Sequence, residues 1–144
     1  HFFNPPTIMP LVEITRGTQT SDKTFEVVRL FSERLGKIFI NVKNSPGFVV
    51  NRILFTMINE AIRALEQGVA KAEDIDRAMV LGARHPIGPL SLADFVGLDV
   101  TLDILEALEK DLSNPVYKPS ELLRKKVTRG NLGRKSGQGF FSYD

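Results

Sequence analysis

Three residues of this chain could together move a proton: a histidine, a glutamate and an asparagine. Histidine titrates near neutral pH and can take a proton from an alcohol, while a carboxylate on its other ring nitrogen fixes the tautomer and steadies the imidazolium. His1 and Glu13 are of the right types for those roles. Asn51 adds a primary amide, which can orient a substrate carbonyl or the imidazole without changing its own charge. Spacing alone leaves this reading open beside a plainer one, in which His1 is a frayed end and Glu13 a surface acid.

For His1 to meet Glu13, the chain between them must turn back. Phe2-Phe3 followed by Asn4-Pro5-Pro6 reads as a strand running into a turn, because prolines cannot continue a ladder. Leu11-Val12-Glu13-Ile14 reads as a second strand. Paired as a hairpin across residues 5–9, the two bring odd positions together and set His1 against Glu13. Thr20-Ser21-Asp22 then supplies an N-cap for a helix carrying Phe25, Val28, Phe31 and Leu35 at helical spacing, and Gly36 stops it. Ile38–Val42 is a further β-rich run. Residues 1–43 thus read strand–strand–helix–strand, which fits the final portion of an α/β domain better than an independent sheet.

Asn44-Ser45-Pro46-Gly47 is a turn cluster and the expected domain boundary. Beyond it the pattern is helical throughout. Leu54, Ile58, Ala61, Ile62 and Leu65 share one broad apolar face closed by Gly68, and the nearly all-apolar stretch 48–55 is expected at an interface. A helix over about 73–81 has acids in its first turn, although Lys71 or Ala72 is a poor cap. A short helix follows over 90–95 and another over 99–112, and Ser120 caps a last one with Leu122, Leu123 and Val127 inward and Gly130 at its end.

Composition narrows the function. With 42% hydrophobic and 25% charged residues the chain reads as globular, and no apolar run approaches the roughly 20 residues that span a bilayer. The absence of cysteine removes thiolate chemistry and fits a reducing, cytoplasmic setting. No nucleic-acid partner is expected from a net charge of +2. A late basic cluster (Lys118, Arg124, Lys125, Lys126, Arg129, Arg134, Lys135) reads as a solvated helix face, or else as a surface that attracts phosphates. His85 beside Pro86 reads as a turn residue, and no metal is expected. The Gly133–Gly139 run reads as a tight turn packing Phe140 and Phe141, since it lacks the phosphate-loop pattern. Because the sequence opens at His1 and enters apolar residues at once, it reads as part of something longer.

The run His1-Phe2-Phe3-Asn4-Pro5-Pro6 through Leu11-Val12-Glu13-Ile14 resembles the active-site segment of the 3-hydroxyacyl-CoA dehydrogenases. Asn44-Ser45-Pro46-Gly47-Phe48-Val49-Val50-Asn51-Arg52 is similar to the segment that opens that family's helical domain. Glu73-Asp74-Ile75-Asp76, Gly88-Pro89-Leu90, Asp94 through Asp99 and Gly133 through Phe141 follow in the family's order. The resemblance covers essentially the whole chain.

It implies a mainly α fold. Residues 44–144 would form an all-helical, dimerising domain like the C-terminal domain of 6-phosphogluconate dehydrogenase. Residues 1–43 would be a β-β-α-β remnant of a Rossmann-type NAD-binding domain. The implied activity is oxidation of a 3-hydroxyacyl-CoA to the 3-ketoacyl-CoA with NAD as hydride acceptor. His1 would be the general base, Glu13 its partner, and Asn51 part of the substrate site, with Asn4 a further asparagine close by. The glycine-rich NAD cradle, the earlier strands and a substrate-holding serine of the family have no counterpart in these residues, so the isolated chain is expected to be inactive. The competing expectation is an oligomerisation module without chemistry.

Overall fold

Strand β1 (Leu11–Thr15) begins directly after Pro10 and pairs in parallel with β2 (Ile38–Val42), Glu13 standing opposite Ile40. Helix α1 (Asp22–Arg34) makes the crossover that a parallel pair requires. Its start follows the sequence: Ser21 is the N-cap, and its hydroxyl accepts the Thr24 N–H at 3.1 Å. In the computed structural model, which describes residues 1–144, this is the first of two units, His1–Val49 and Val50–Asp144.

The expected first strand is corrected. Upstream pairing is confined to a single antiparallel bridge, Phe2 with Val12, flanked by the main-chain bonds of His1 and Glu13. The next pair in that register is Phe3 with Leu11, and beyond it Asn4 falls opposite Pro10. The following bonded position would fall on Pro5, which has no N–H to give, and Pro5 and Pro6 turn the chain away, so the ladder ends. The observed order is bridge–β–α–β.

Little of α1 is covered. Val28, Phe31 and Leu35, at helical spacing in the sequence, are 41%, 56% and 50% exposed, and Ser32 is its one buried residue.

The second unit is helical: α2 (Val50–Glu66), α3 (Ala72–Gly82), α4 (Pro89–Val96), α5 (Leu98–Leu112) and α6 (Glu121–Thr128), with single 3-10 turns at Pro115–Tyr117 and Arg134–Ser136. Ile58 and Ile62 of α2, Leu90 of α4, Leu98 and Leu105 of α5 and Leu123 of α6 are wholly buried together. Each such side chain contributes about 1.5–3 kcal/mol by leaving water. Within the apolar stretch 48–55, Phe55 is buried in this unit and Ile53 is 65% exposed. No helix is long and apolar enough to cross a membrane.

Three buried polar side chains tie these helices together. Asp94 of α4 accepts the N–H groups of Phe140 and Phe141 and the hydroxyl of Tyr143, each at 2.9 Å. A Cβ on Gly139 would lie 2.0 Å from an Asp94 carboxylate oxygen, so only glycine allows this approach. Asp76 of α3 accepts the Leu90 and Ser91 N–H groups at 2.8 Å and so caps α4 from outside. Asn59 of α2 accepts from Ser120 N and donates to the Lys118 carbonyl.

The late basic cluster is only partly a solvated face. Arg124 pairs with Glu106, and Lys135 pairs with Asp99 and holds that carboxyl below its ordinary range. Lys126 donates to the Gly139 carbonyl at 2.7 Å and lies over the Phe140 ring, and burial lowers its pKa. Arg134 stacks on Phe95 and Tyr143. These cations mainly fasten the closing turn, which does pack Phe140 and Phe141 on the core.

Candidate active site

His1 and Glu13 face each other across the short antiparallel pairing. The main-chain nitrogen of His1 donates to the Glu13 carbonyl at 2.9 Å, and Glu13 N donates back to the His1 carbonyl at 3.0 Å. Residues that exchange both bonds present their side chains on one face. Accordingly His1 Nδ1 lies 2.6 Å from Glu13 Oε2. With a carboxylate there, Nδ1 carries the proton and Nε2 presents a lone pair.

Glu13 is wholly buried on the middle of β1, where Val12 and Ile14 are buried beside it. Burial of a carboxylate is costly unless its oxygens are bonded. Its second oxygen, Oε1, accepts the Val49 N–H at 3.0 Å. The His1 ring packs against two aromatic rings, Phe3 at 4.5 Å and Phe48 at 5.2 Å between centroids. Phe48 has φ +48°, a left-handed conformation that a bulky residue seldom adopts and that the surrounding turn enforces. The Pro46–Val49 turn therefore contributes a ring to His1 and an N–H to Glu13.

Of the residues singled out by sequence in this unit, the structure brings His1 and Glu13 together. Asn4 is exposed in the turn after Phe3 and makes no hydrogen bond with them. Asn51 is the second residue of α2, half-buried, and belongs to the helical unit. Phe48 and Val49 were not foreseen. A residue following Pro-Gly, where glycine's freedom already bends the chain, was the available signal. His85 lies in the connection from α3 to α4, its N–H bonded to the Met79 carbonyl.

A cavity of about 370 Å³ opens beside the pair, walled by Val12, Ile14, Val28 and Phe31. Thr15 also lines it, and its hydroxyl is buried without a hydrogen-bond partner. For a dinucleotide, the test is whether a loop here could take a pyrophosphate. The start of α1 is the helix N-terminus next to the sheet, but Ser21 already accepts one of its N–H groups and Asp22 puts a carboxylate there. Residues 16–21, leading into it, include a single glycine. These residues do not fit the pyrophosphate of a dinucleotide.

The fold and the pair define the class, and comparison with known proteins agrees. Residues 1–45 match the 3-hydroxyacyl-CoA dehydrogenase NAD binding domain, and residues 47–143 match the 3-hydroxyacyl-CoA dehydrogenase C-terminal domain. The chain belongs to the 3-hydroxyacyl-CoA dehydrogenase family. It is 54% identical over 143 residues to a probable 3-hydroxybutyryl-CoA dehydrogenase of Deinococcus radiodurans, covering 99% of this chain and 51% of that protein. A probable 3-hydroxybutyryl-CoA dehydrogenase of Bacillus subtilis is 51% identical over 144 residues, covering 100% of this chain and 50% of that protein. The crystal structure of (S)-3-hydroxybutyryl-CoA dehydrogenase PaaH1 from Ralstonia eutropha superposes with a TM-score of 0.97 at 54% identity, over 100% of this chain and 51% of that one. The chain spans about half the length of the curated relatives it matches.

Proposed function

We propose that this chain is the substrate-side portion of an NAD-dependent 3-hydroxyacyl-CoA dehydrogenase, with His1 as general base. The observation that carries the reading is the 2.6 Å contact of His1 Nδ1 with the fully buried Glu13 carboxylate. Fixing the proton on Nδ1 makes Nε2 the acceptor for the proton of a substrate 3-hydroxyl. Removing that proton as the carbon is oxidised avoids a cationic intermediate. Glu13 then stabilises the imidazolium, and in the reverse direction the same nitrogen returns the proton. Asn51 and Asn4 are assigned to the substrate side by resemblance.

NAD supplies the hydride acceptor and is held by residues outside this chain. Residues 1–43 are read as the closing part of the nucleotide-binding domain, and residues 44–144 as the helical domain. The exposed Phe31 and Val28 and the unpartnered Thr15 hydroxyl support the idea that further chain packs against the first unit. The helical unit is proposed to form a homodimer. An apolar groove of about 520 Å³ between α2 and α3, walled by Met57, Ala61, Val69 and Ala78, supports that reading. Cysteine-free composition suits a cytoplasmic setting.

The test is NADH oxidation with acetoacetyl-CoA, by this chain alone and by the chain mixed with a separately made nucleotide-binding half of a close relative. Activity only in the mixture supports the reading, and turnover by the chain alone overturns the assignment of NAD to residues outside it. Silence in both, with a dimer in solution, favours an oligomerisation module.

A further inference from the structure

The register that puts Glu13 opposite His1 rests on very little pairing. One bridge and one pair of reciprocal main-chain bonds hold it, and Pro5 and Pro6 prevent the ladder from growing. A two-stranded pairing this short is marginal by itself, and a slip of one residue would turn the carboxylate to the other face. Something outside the pairing must hold the connection between the two residues.

We propose that Lys37 is a positioning residue for the His1–Glu13 pair. Its ammonium donates to the Pro6 carbonyl at 2.6 Å and to the Met9 carbonyl at 2.8 Å, bonds that reach 31 and 28 residues along the chain. The next residue, Ile38, donates its N–H to the Pro10 carbonyl at 2.8 Å. Two consecutive residues at the start of β2 thus hold three carbonyls of the connection that runs from His1 to Glu13. Within that connection, Ile8 N and Met9 N both donate to the Pro5 carbonyl at 3.0 Å, which closes the turn but does not tie it to the sheet. Lys37 does so.

Lysine suits this role. Carbonyl oxygens at two points of a turn need one donor with several protons, and an ammonium offers three in no fixed plane. Lys37 as a residue is half-buried. Helix α1 sets the start of that stem, since Lys37 N bonds to the Ser32 carbonyl at 3.0 Å. The order of α1 and β2 is therefore transmitted to the 5–10 connection through the Lys37 side chain together with the Ile38 N–H.

The proposal rests on the reading of His1 as the base, and the two can fail separately. The chain has two histidines, so the imidazole N–H signals in a nitrogen-labelled sample are assignable with His1→Ala as reference. A His1 Nδ1–H bonded to a carboxylate resonates far downfield, and Glu13→Gln should remove that signal. Lys37→Met is expected to abolish or broaden it and to speed exchange of the Glu13 amide about tenfold, with α1 and helical-unit amides unchanged. Lys37→Arg should restore both. If Lys37→Met disrupts the first unit as a whole, Lys37→Gln, which retains one donor group, carries the same comparison. A downfield signal and Glu13 exchange unaltered in Lys37→Met or Lys37→Gln would overturn the positioning role, as would a wild-type spectrum without the signal. In the reassembled enzyme Lys37→Met should lower kcat roughly tenfold with KM little changed. If instead Glu13→Gln leaves kcat intact there, it is the general-base reading that fails.

Discussion

His1 and Glu13 meet twice, once through both main-chain bonds and again through Nδ1 and Oε2 at 2.6 Å. The first contact fixes which face each side chain takes, and the second uses it. Such a pair should be sensitive to the chemistry of the carboxylate and not only to its volume.

Glu13→Gln tests this. The amide fills the same space but cannot stabilise an imidazolium, so kcat of the reassembled enzyme should fall by about 10²-fold. His1→Ala should cost more, towards about 10⁴-fold, because the base itself is gone. Steady-state kinetics with acetoacetyl-CoA would read both. Equal, small losses would show that proton transfer is carried by another group.

The helical unit offers a test of stability at Asp94. Asp94→Ala leaves two half-buried N–H groups and the Tyr143 hydroxyl without their acceptor. The expected cost is about 3 kcal/mol or more, and urea unfolding would measure it. Asp94→Asn keeps the shape and one acceptor oxygen, and should cost less.

Tyr143 gives the same clasp a pH signature. Burial first, and the bond to Asp94 second, push its pKa from the ordinary 10.0 up to about 12. Above pH 10 the unfolded chain loses the phenolic proton while the folded chain keeps it, so the contribution is whole below pH 10 and disappears as pH rises through about 12. Wild type should therefore lose more stability than Tyr143→Phe across that window. Parallel urea titrations of the two would show the difference, and superimposable pH profiles would refute it.

At the start of α3 the prediction runs the other way. Lys71 sits at the N-cap with extended backbone, φ −71° and ψ 161°, but makes no side-chain cap bond. Lys71→Ser supplies an acceptor and removes a positive charge from the positive end of the helix dipole. A gain of about 1 kcal/mol is expected, visible as a higher urea midpoint with an unchanged slope.

These residues show what sequence could and could not reveal. Ser21 and Ser120 were legible as caps because capping is local: each hydroxyl meets an N–H three residues on. Leu11–Thr15 and Ile38–Val42 were legible from β-rich runs beside prolines and glycine. The side-to-side placement of His1 and Glu13 followed from strand alternation, although the strand expected to carry His1 proved to be one bridge. Asp94, Asp76 and Asn59 were not legible as buried anchors. Their partners lie 46, 14 and 61 residues away, and nothing in the local pattern separates a buried carboxylate from a solvated one. Lys37 was hidden for the same reason, as a lysine after a helix-ending glycine reads as surface. Phe48 and Val49 follow the turn taken for a boundary, in a stretch read only as apolar, and backbone shape and not residue type brings them to His1 and Glu13.

The Asp94 clasp also sets an order of events during synthesis. A ribosome that has released residues up to 130 has delivered α2 through α6, yet every partner of the Asp94 carboxylate is still to come. The nascent bundle can gather its apolar side chains while a charged group waits among them unbonded. Closure arrives only when the Gly139 turn emerges and folds back over α4. Until then the helices are open to rearrangement and to chaperones, and Phe140, Phe141 and Tyr143 are the residues that end that interval.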